Sequence, residues 1–202
     1  NMKNNFKEIY KDSLNNPEKF WKNISEDVFW FKRPTKILNK SNPPFYKWFE
    51  DGITNSCYNA LDLHIDQGRG DKTALIYDSP ITGSKAKFTF NELKQQVSKF
   101  AGALEKQGVK KGDRVIIYMP MIPEAVIAML ACGRIGAIHS VVFGGFASNE
   151  LASRIDDSKA KILITASCGF EPGRTVEYRP LVDGALNLAK HKVEKVILYQ
   201  RK

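Results

Sequence analysis

Four short apolar segments that alternate with helical patterns constrain the fold of this chain more than any other feature. We predict strands over Arg114–Met119, Ile138–Phe143, Lys161–Ala166 and Val193–Tyr199, separated by helices over 123–135, 149–157 and 180–190. Continuous apolar runs of this length are typical of strands in a sheet that is covered on both faces. The alternation indicates right-handed βαβ units, and so an α/β fold with a mainly parallel sheet flanked by helices.

Local signals define several helix ends. Thr89 and Glu92 match a capping box, in which each side chain bonds a backbone N–H of the first turn. Gly108 is placed to end that helix, and we expect Ser148 to cap a later one. The helix that begins at Thr89 should carry one apolar stripe, formed by Leu93, Val97, Phe100, Ala101 and Leu104. The helix over 180–190 should carry Leu181, Ala185 and Leu188 on one face. We also expect a helix over 54–67, a strand over Ala74–Tyr77 and a turn over Ser79–Lys87.

The first 50 residues differ from the rest, because they are rich in Lys, Asn and large aromatic side chains. We predict short helices near 4–14 and 17–26, and the Pro43-Pro44 pair indicates an extended connector. So many aromatic rings need a surface to pack on. We therefore expect two parts: an N-terminal arm over 1–50 that wraps a larger body, and a partial α/β domain over 51–202.

Composition limits the functional classes. No apolar run approaches the roughly 20 residues that a membrane span needs, so we expect no membrane segment. The formal charge of +9 fits either nucleic acid or small polyanions such as nucleotides and CoA, but the lysines are dispersed, so we expect no nucleic-acid partner. Three scattered cysteines and three scattered histidines show no metal-ligand spacing, so we predict no metal site. Neither a secretory signal nor an arginine-rich presequence is found, so we predict a cytoplasmic location.

Three stretches lie beyond predicted strand ends, where ligands bind to parallel sheets. Tyr118–Glu124 is explained as a tight crossover between a strand and a buried helix. Phe143-Gly144-Gly145 permits close backbone approach to a ligand, although a simple turn explains it equally well. The stretch Ala166–Arg174 places Arg174 in a loop, where its guanidinium could hold a phosphate or simply face water.

Read in order, the three stretches resemble the acetyl- and propionyl-CoA synthetases of the adenylate-forming superfamily. The likeness is carried by YMPMIPEAVIAMLACGRIGAIHSVVFGGFASNEL and TASCGFEPGRTVEYRPLVDGAL, and it extends from about Trp48 to Tyr199. Residues 74–82 and the loop Glu171-Pro172-Gly173-Arg174 look more like the propionyl-CoA synthetase branch. The resemblance implies that the parallel sheet is part of the large N-terminal domain of that fold.

The resemblance also implies a reaction and a site. A short-chain carboxylate, propionate or acetate, attacks ATP to form an acyl-adenylate and pyrophosphate, and the CoA thiol then displaces AMP. ATP with Mg²⁺ and CoA would be substrates, and no tightly bound cofactor is expected. Glu171, Pro172, Gly173 and Arg174 would form the loop that holds the nucleotide end of CoA, with Arg174 on its phosphates. Phe143, Gly144 and Gly145 would line the passage for the pantetheine arm.

Other motifs of the resembled family are not found within residues 1–202: the Ser/Thr/Gly-rich phosphate loop, the ribose-binding aspartate and the catalytic lysine. We therefore predict no catalytic residue here and no ligase activity for this polypeptide by itself. The alternative is a stand-alone CoA- or nucleotide-binding module without catalysis. A reading frame that continues for several hundred residues would favour the ligase, and a stop codon after Lys202 would favour the module.

Overall fold

The computed structural model describes residues 5–201. The chain divides into two compact units, one that ends at Asn55 and one that begins at Ser56. This boundary lies close to, but not at, the division expected after residue 50.

The first unit holds two helices and a small antiparallel ladder. Helix α1 spans Phe6–Asn15 and α2 spans Pro17–Ile24, which confirms both predicted helices, and a 3₁₀ turn follows at Ser25–Asp27. Strands β1 (Leu38–Asn39) and β2 (Lys47–Trp48) pair antiparallel. Aromatic rings pack on one another inside this unit. Trp21 lies 6.0 Å from Trp48, and Trp30 lies 5.6 Å from Phe49, between ring centroids. The wrapping of residues 1–50 around the rest of the chain stays a prediction.

A four-stranded parallel sheet forms the centre of the second unit. Its order is β10-β7-β5-β6, with β5 at Arg114–Met119, β6 at Ile138–Phe143, β7 at Ile162–Ala166 and β10 at Lys195–Tyr199. The predicted parallel sheet is therefore confirmed. Each residue of β7 is buried, as continuous apolar sequence requires of a central strand.

Helices cover the two faces of this sheet. Helices α3 (Phe90–Lys106) and α4 (Pro123–Ile135) pack on one face around Ile117 and Ile164. Helices α5 (Ser148–Ser158) and α6 (Tyr178–Leu188) pack on the other face around Ile116 and Leu163. Each fully buried aliphatic side chain contributes about 1.5–3 kcal/mol. None of the helices in residues 5–201 is both long and apolar enough to cross a membrane.

The expectation that both faces are covered holds only for the two central strands. On the edge strand β6, Ile138 is 55% exposed and Phe143 is 68% exposed. On the other edge strand, β10, Leu198 is 42% exposed. These exposed side chains all lie on edge strands, whereas each residue of β7 and each residue of β5 after Arg114 is buried.

Two hairpins accompany the sheet, and sequence alone did not predict either of them. Strand β3 (Thr73–Ser79) pairs antiparallel with β4 (Ser84–Thr89), so the turn expected over Ser79–Lys87 is confined to residues 80–83. Strand β4 shows no continuous apolar run in the sequence, because charged residues alternate along it and one of its faces is in contact with water. Strand β8 (Cys168–Glu171) pairs with β9 (Arg174–Glu177).

The helix expected over 54–67 is present as a helical segment with two π-helical stretches, Tyr58–Asp62 and Ile65–Arg69. The carboxylate of Asp62 anchors it, accepting from Lys94 of α3 at 2.9 Å and from Arg134 of α4 at 2.7 Å. Burial acts to raise the pKa of Asp62, but bonding to the two cations outweighs it and lowers that pKa. This ion pair network joins three helical elements at one point.

One of the two predicted helix N-caps agrees with the structure and the other does not. The capping box is confirmed, since Glu92 N donates to Thr89 Oγ1 at 3.2 Å and Thr89 N donates to Glu92 Oε2 at 2.8 Å. Ser148 does not cap α5, because its hydroxyl donates to the Leu181 carbonyl of α6 at 2.8 Å. Leu181, Ala185 and Leu188 share one face of α6, as their spacing predicts, but Leu188 is exposed because it is the last residue of the helix.

Candidate functional site

The candidate site lies at the carboxyl edge of the parallel sheet. Because β5, β6, β7 and β10 run in the same direction, the residues that follow them meet at one edge. Gly144 follows β6, Ser167 follows β7 and Arg201 lies just beyond β10. Both predicted stretches, 143–145 and 171–174, belong to this edge.

Gly144 stands at a close approach that no larger residue could make. A Cβ atom there would overlap the Tyr178 hydroxyl and would lie 3.0 Å from the Met119 carbonyl oxygen. The turn is closed by Phe146 N, which donates to the Phe143 carbonyl at 3.0 Å. The Phe143 ring itself is exposed and packs edge-on against Phe146 at 5.7 Å. Glycine at 144 is therefore required by a neighbouring side chain, whether or not a ligand also comes close.

That neighbour, Tyr178, is a residue that sequence reasoning missed. Its ring stacks on Tyr118 of β5 at 5.0 Å between centroids, and its backbone N donates to the Ser167 carbonyl at 3.0 Å. A Cβ on Gly169 would lie 3.0 Å from the ring, so Tyr178 fills the space between Gly144 and Gly169. One buried ring thus brings the two predicted stretches together.

Tyr118 and Tyr178 both keep their phenolic protons at neutral pH. Burial, with the neighbouring Tyr178, raises the pKa of Tyr118 to about 12. Burial also raises the pKa of Tyr178. Tyr118 Oη donates to the Phe146 carbonyl at 2.7 Å, which holds the segment after the glycine turn. Both rings therefore shape the edge as neutral groups.

The stretch that was expected to be a loop is the β8–β9 hairpin. Its turn consists of Pro172 and Gly173, and Gly173 has φ +75°, a left-handed conformation that glycine adopts at little cost. Glu171 and Arg174 are direct partners on either side of this turn. Arg174 is thus the first residue of a strand and not part of an irregular loop.

The guanidinium of Arg174 is already paired. Its Nε and Nη2 atoms lie 2.7 Å and 2.6 Å from Glu171 Oε2. Both side chains are exposed, Arg174 at 69% and Glu171 at 45%. A carboxylate cannot itself bind a phosphate, so Glu171 supplies no second cationic contact, and its carboxylate also pairs with the guanidinium of Arg174.

The register of the hairpin shows which side chains share a face. Because side chains alternate along a strand, Glu171, Arg174 and Gly169 lie on one face, while Cys168 and Phe170 lie on the other. Gly169 faces the Tyr178 ring. The Glu171–Arg174 pair is therefore on the same side of the hairpin as the glycine turn.

Arg201 fastens the opposite face and was also missed. Its guanidinium lies 4.4 Å from the centre of the Phe170 ring, and Nη1 donates to the Cys168 carbonyl at 3.2 Å. Its backbone N donates to Ser167 Oγ at 2.9 Å. Arg201 therefore ties the hairpin to the end of β10, and no local sequence pattern signals such a contact.

A separate apolar groove of about 380 Å³ lies between α3, α4 and β10. It is lined mainly by apolar side chains, among them Phe100, Met119 and Ile197. This groove is on the α3–α4 face of the sheet, whereas Tyr178 and the glycine turn adjoin the α5–α6 face. The groove is therefore not the site that the sequence predicted.

The cysteines are dispersed in the structure as they are in the sequence. Cys57 and Cys132 are buried, as expected for small apolar packing residues, and burial raises the pKa of the Cys132 thiol to about 12. Cys168 is only partly buried, because it belongs to the surface hairpin. Within residues 5–201, no group of three His, Cys, Asp or Glu side chains could hold a metal ion.

Two family models match the chain. The model described as "AMP-binding enzyme" matches residues 64–202, and the model described as "Acetyl-coenzyme A synthetase N-terminus" matches residues 6–60. The first covers more than half of the chain. Together they extend over both compact units.

Relatives with curated descriptions agree with these models. The human protein described as acyl-CoA synthetase short-chain family member 3, mitochondrial, is 55% identical over 97% of this chain and 29% of its own length. The acetyl-coenzyme A synthetase of Streptomyces coelicolor is 48% identical over 96% of this chain and 30% of its own length. The chain thus spans less than a third of the relatives that it matches.

A solved structure shares the fold. The acetoacetyl-CoA synthetase from Streptomyces lividans superimposes with a TM-score of 0.83 at 28% identity, covering 93% of this chain and 29% of that one. The α/β architecture is therefore shared with a much longer chain.

Proposed function

This chain belongs to the AMP-binding enzyme family, and we propose that it is the N-terminal part of an AMP-forming synthetase that joins a short-chain carboxylate to coenzyme A. The observation that carries this proposal is the 55% identity, over 97% of the chain, to a protein described as a short-chain acyl-CoA synthetase. The geometry of the carboxyl edge supports it, because a glycine turn and an arginine-bearing hairpin meet there.

The proposed reaction has two steps. A carboxylate oxygen attacks the α-phosphorus of ATP and pyrophosphate leaves, which converts a poor electrophile into an acyl-adenylate. The CoA thiol, losing its proton, then attacks the acyl carbon, and AMP leaves as the thioester forms. Within this scheme we assign the present chain to CoA binding and scaffolding. Mg²⁺ would accompany ATP, but we assign it no residue of this chain, because the described part contains no cluster of ligands for it.

Residue roles in CoA binding are part of the proposal. Arg174 would contact a phosphate of CoA, and the turn of Phe143, Gly144 and Gly145 would lie along the pantetheine arm. Two features support this placement: the two stretches share Tyr178, and Arg174 lies on the face of the hairpin that adjoins it. Arg174→Ala in the complete gene product should raise the KM for CoA more than the KM for ATP. An unchanged KM for CoA would remove Arg174 from the site.

Activity of the complete gene product is the direct test. Incubated with ATP, Mg²⁺, CoA and either acetate, propionate or butyrate, it should release AMP and form the matching thioester. The 202-residue chain alone should neither exchange pyrophosphate into ATP nor form thioester, so it serves as the control. Absence of thioester with all three acids would refute the ligase, and CoA binding without turnover would favour a non-catalytic module.

The preferred acid is propionate in our proposal, because residues 74–82 and 171–174 resemble the propionyl-CoA synthetase branch. One methylene group changes binding by about 1–3 kcal/mol, so acetate and butyrate should be slower but still used. Comparing kcat/KM for the three acids tests the order. A higher value for acetate than for propionate would contradict it.

Two organisational proposals remain. We propose the division into an arm, 1–50, and a partial α/β domain, 51–202, for the complete protein. A cytoplasmic location is the proposal from the sequence, whereas the relative described as mitochondrial favours a mitochondrial location. Imaging of the complete gene product with a C-terminal fluorescent tag would distinguish these compartments.

A further inference from the structure

The ion pair between Glu171 and Arg174 occupies the edge of the guanidinium that a phosphate would use. Nε and Nη2 both donate to Glu171 Oε2, at 2.7 Å and 2.6 Å. These two donors form the fork that binds carboxylates and phosphates side by side. A ligand phosphate approaching that edge of Arg174 therefore meets an oxygen that is already bound there.

We infer that Glu171 is an internal competitor for the anionic ligand of Arg174, and that it sets the affinity of the protein for CoA. This inference rests on the proposed function, in which Arg174 holds a phosphate of CoA. Glu171 does not contact the ligand. Its carboxylate leaves the guanidinium when CoA binds and returns when CoA dissociates.

The hairpin makes this competition a local property. Glu171 and Arg174 face each other across a turn of two residues, so the carboxylate stays within reach of the guanidinium. The effective concentration of the carboxylate is therefore high whatever the rest of the protein does. Among the acids of residues 5–201, Glu171 is the one that forms an ion pair with Arg174.

Exposure limits the strength of the pair. With Arg174 exposed at 69% and Glu171 at 45%, water and salt screen the attraction, and the pair should be easy to displace. Competition of this strength tunes an affinity without abolishing it. Removing the carboxylate should lower the Kd for CoA about two- to fivefold, the range that exposed ion pairs produce.

The experiment compares CoA binding by variants of the complete gene product, using isothermal titration calorimetry at low salt. Glu171→Gln keeps the size of the side chain and removes its charge, and it should bind CoA about two- to fivefold more tightly. In a protein that already carries Arg174→Gln, adding Glu171→Gln should change the Kd much less. The KM for ATP should stay the same in the variants.

Asp183 provides the matched control. It forms an exposed ion pair with Arg179 on α6, the helix that follows the hairpin, and it does not pair with Arg174. Asp183→Asn removes the same charge from the same neighbourhood and should leave the Kd for CoA unchanged. If Glu171→Gln proves unstable by thermal unfolding, Glu171→Ser makes the same test.

The inference would be overturned by no gain in CoA affinity in Glu171→Gln, by an equal gain in the Arg174→Gln background, or by an equal gain in Asp183→Asn. A change in the KM for ATP in place of the Kd for CoA would also overturn it. These failures differ from failure of the proposed function. If the wild-type gene product forms no thioester and binds no CoA, both the function and the inference fall, whereas an active wild type with an unresponsive Glu171 refutes the competition alone.

Discussion

Replacing Gly144 with alanine tests the close packing on which the candidate site depends. The new methyl group would overlap the Tyr178 hydroxyl and would lie 3.0 Å from the Met119 carbonyl oxygen. A carbonyl of the central strand β5 cannot move far, so Tyr178 would have to yield. That ring is buried, is stacked on Tyr118 and touches Gly169 on its other side.

The expected cost follows from these contacts. Forcing one extra carbon into a packed site costs about 1–3 kcal/mol, and an aromatic pair that separates loses about 0.5–1.5 kcal/mol of that total. We therefore expect Gly144→Ala to lower the free energy of unfolding of the chain by about 1–3 kcal/mol. For a domain of this size, that is a fall in Tm of about 2–12 °C.

Urea unfolding of the 202-residue chain, followed by circular dichroism and by tyrosine fluorescence, measures this change, because the three tryptophans all belong to the first unit. Tyr178→Phe removes the overlapped oxygen, so adding it to Gly144→Ala should recover part of the loss. Gly102→Ala is the control. Apart from its chain neighbours and the backbone of α3 itself, no atom lies within 4 Å of a Cβ at that position, so the substitution should stabilise by up to about 1 kcal/mol. A Gly144→Ala protein as stable as the wild type would refute the packing argument.

Three further predictions concern other parts of the chain. Asp62→Asn should destabilise by about 2–4 kcal/mol, because it removes the buried carboxylate that pairs with the partly buried Arg134. Because the folded-state pKa of Asp62 is lowered, the stability that its carboxylate gives the wild type should be lost as pH falls below about 4. In urea titrations at several pH values, the free energy of unfolding of the variant should lack this part of the pH dependence. Thr35→Val should raise the pKa of Asp51 from about 2 toward its ordinary value of 3.8, because the Thr35 hydroxyl donates to that carboxylate, and a carboxyl NMR titration measures it. Arg201→Ala should speed hydrogen exchange in residues 168–177 by about five- to thirtyfold, because a cation–π contact and a hydrogen bond are lost, and equal exchange rates would deny Arg201 its positioning role.

Local signals predicted the regular elements well. Strands Arg114–Met119 and Ile138–Phe143 and the helix over 123–135 agree with the structure at both ends. The Thr89–Glu92 capping box is present with both of its hydrogen bonds. Each of these features depends on side chains only a few positions apart, so sequence order alone carries the information.

Features of the surface were predicted less well. The sequence predicts a loop where the β8–β9 hairpin lies, because the strands are only four residues long and the turn residues also suit an irregular segment. Ser148 was expected to cap its own helix. Its hydroxyl instead bonds α6, which passes close by because Gly184 lacks a side chain. In both cases a partner from another element decided the outcome.

The sequence by itself determined the alternation of strands and helices, the parallel sheet that follows from it, and the family resemblance. Tertiary structure alone decided that Tyr178 fills the space between Gly144 and Gly169, and that Glu171 occupies the guanidinium of Arg174 across a tight turn. The physical reason is the range of the interactions. Periodicity and capping act along the chain, whereas a close approach or an ion pair depends on where folding places groups in space.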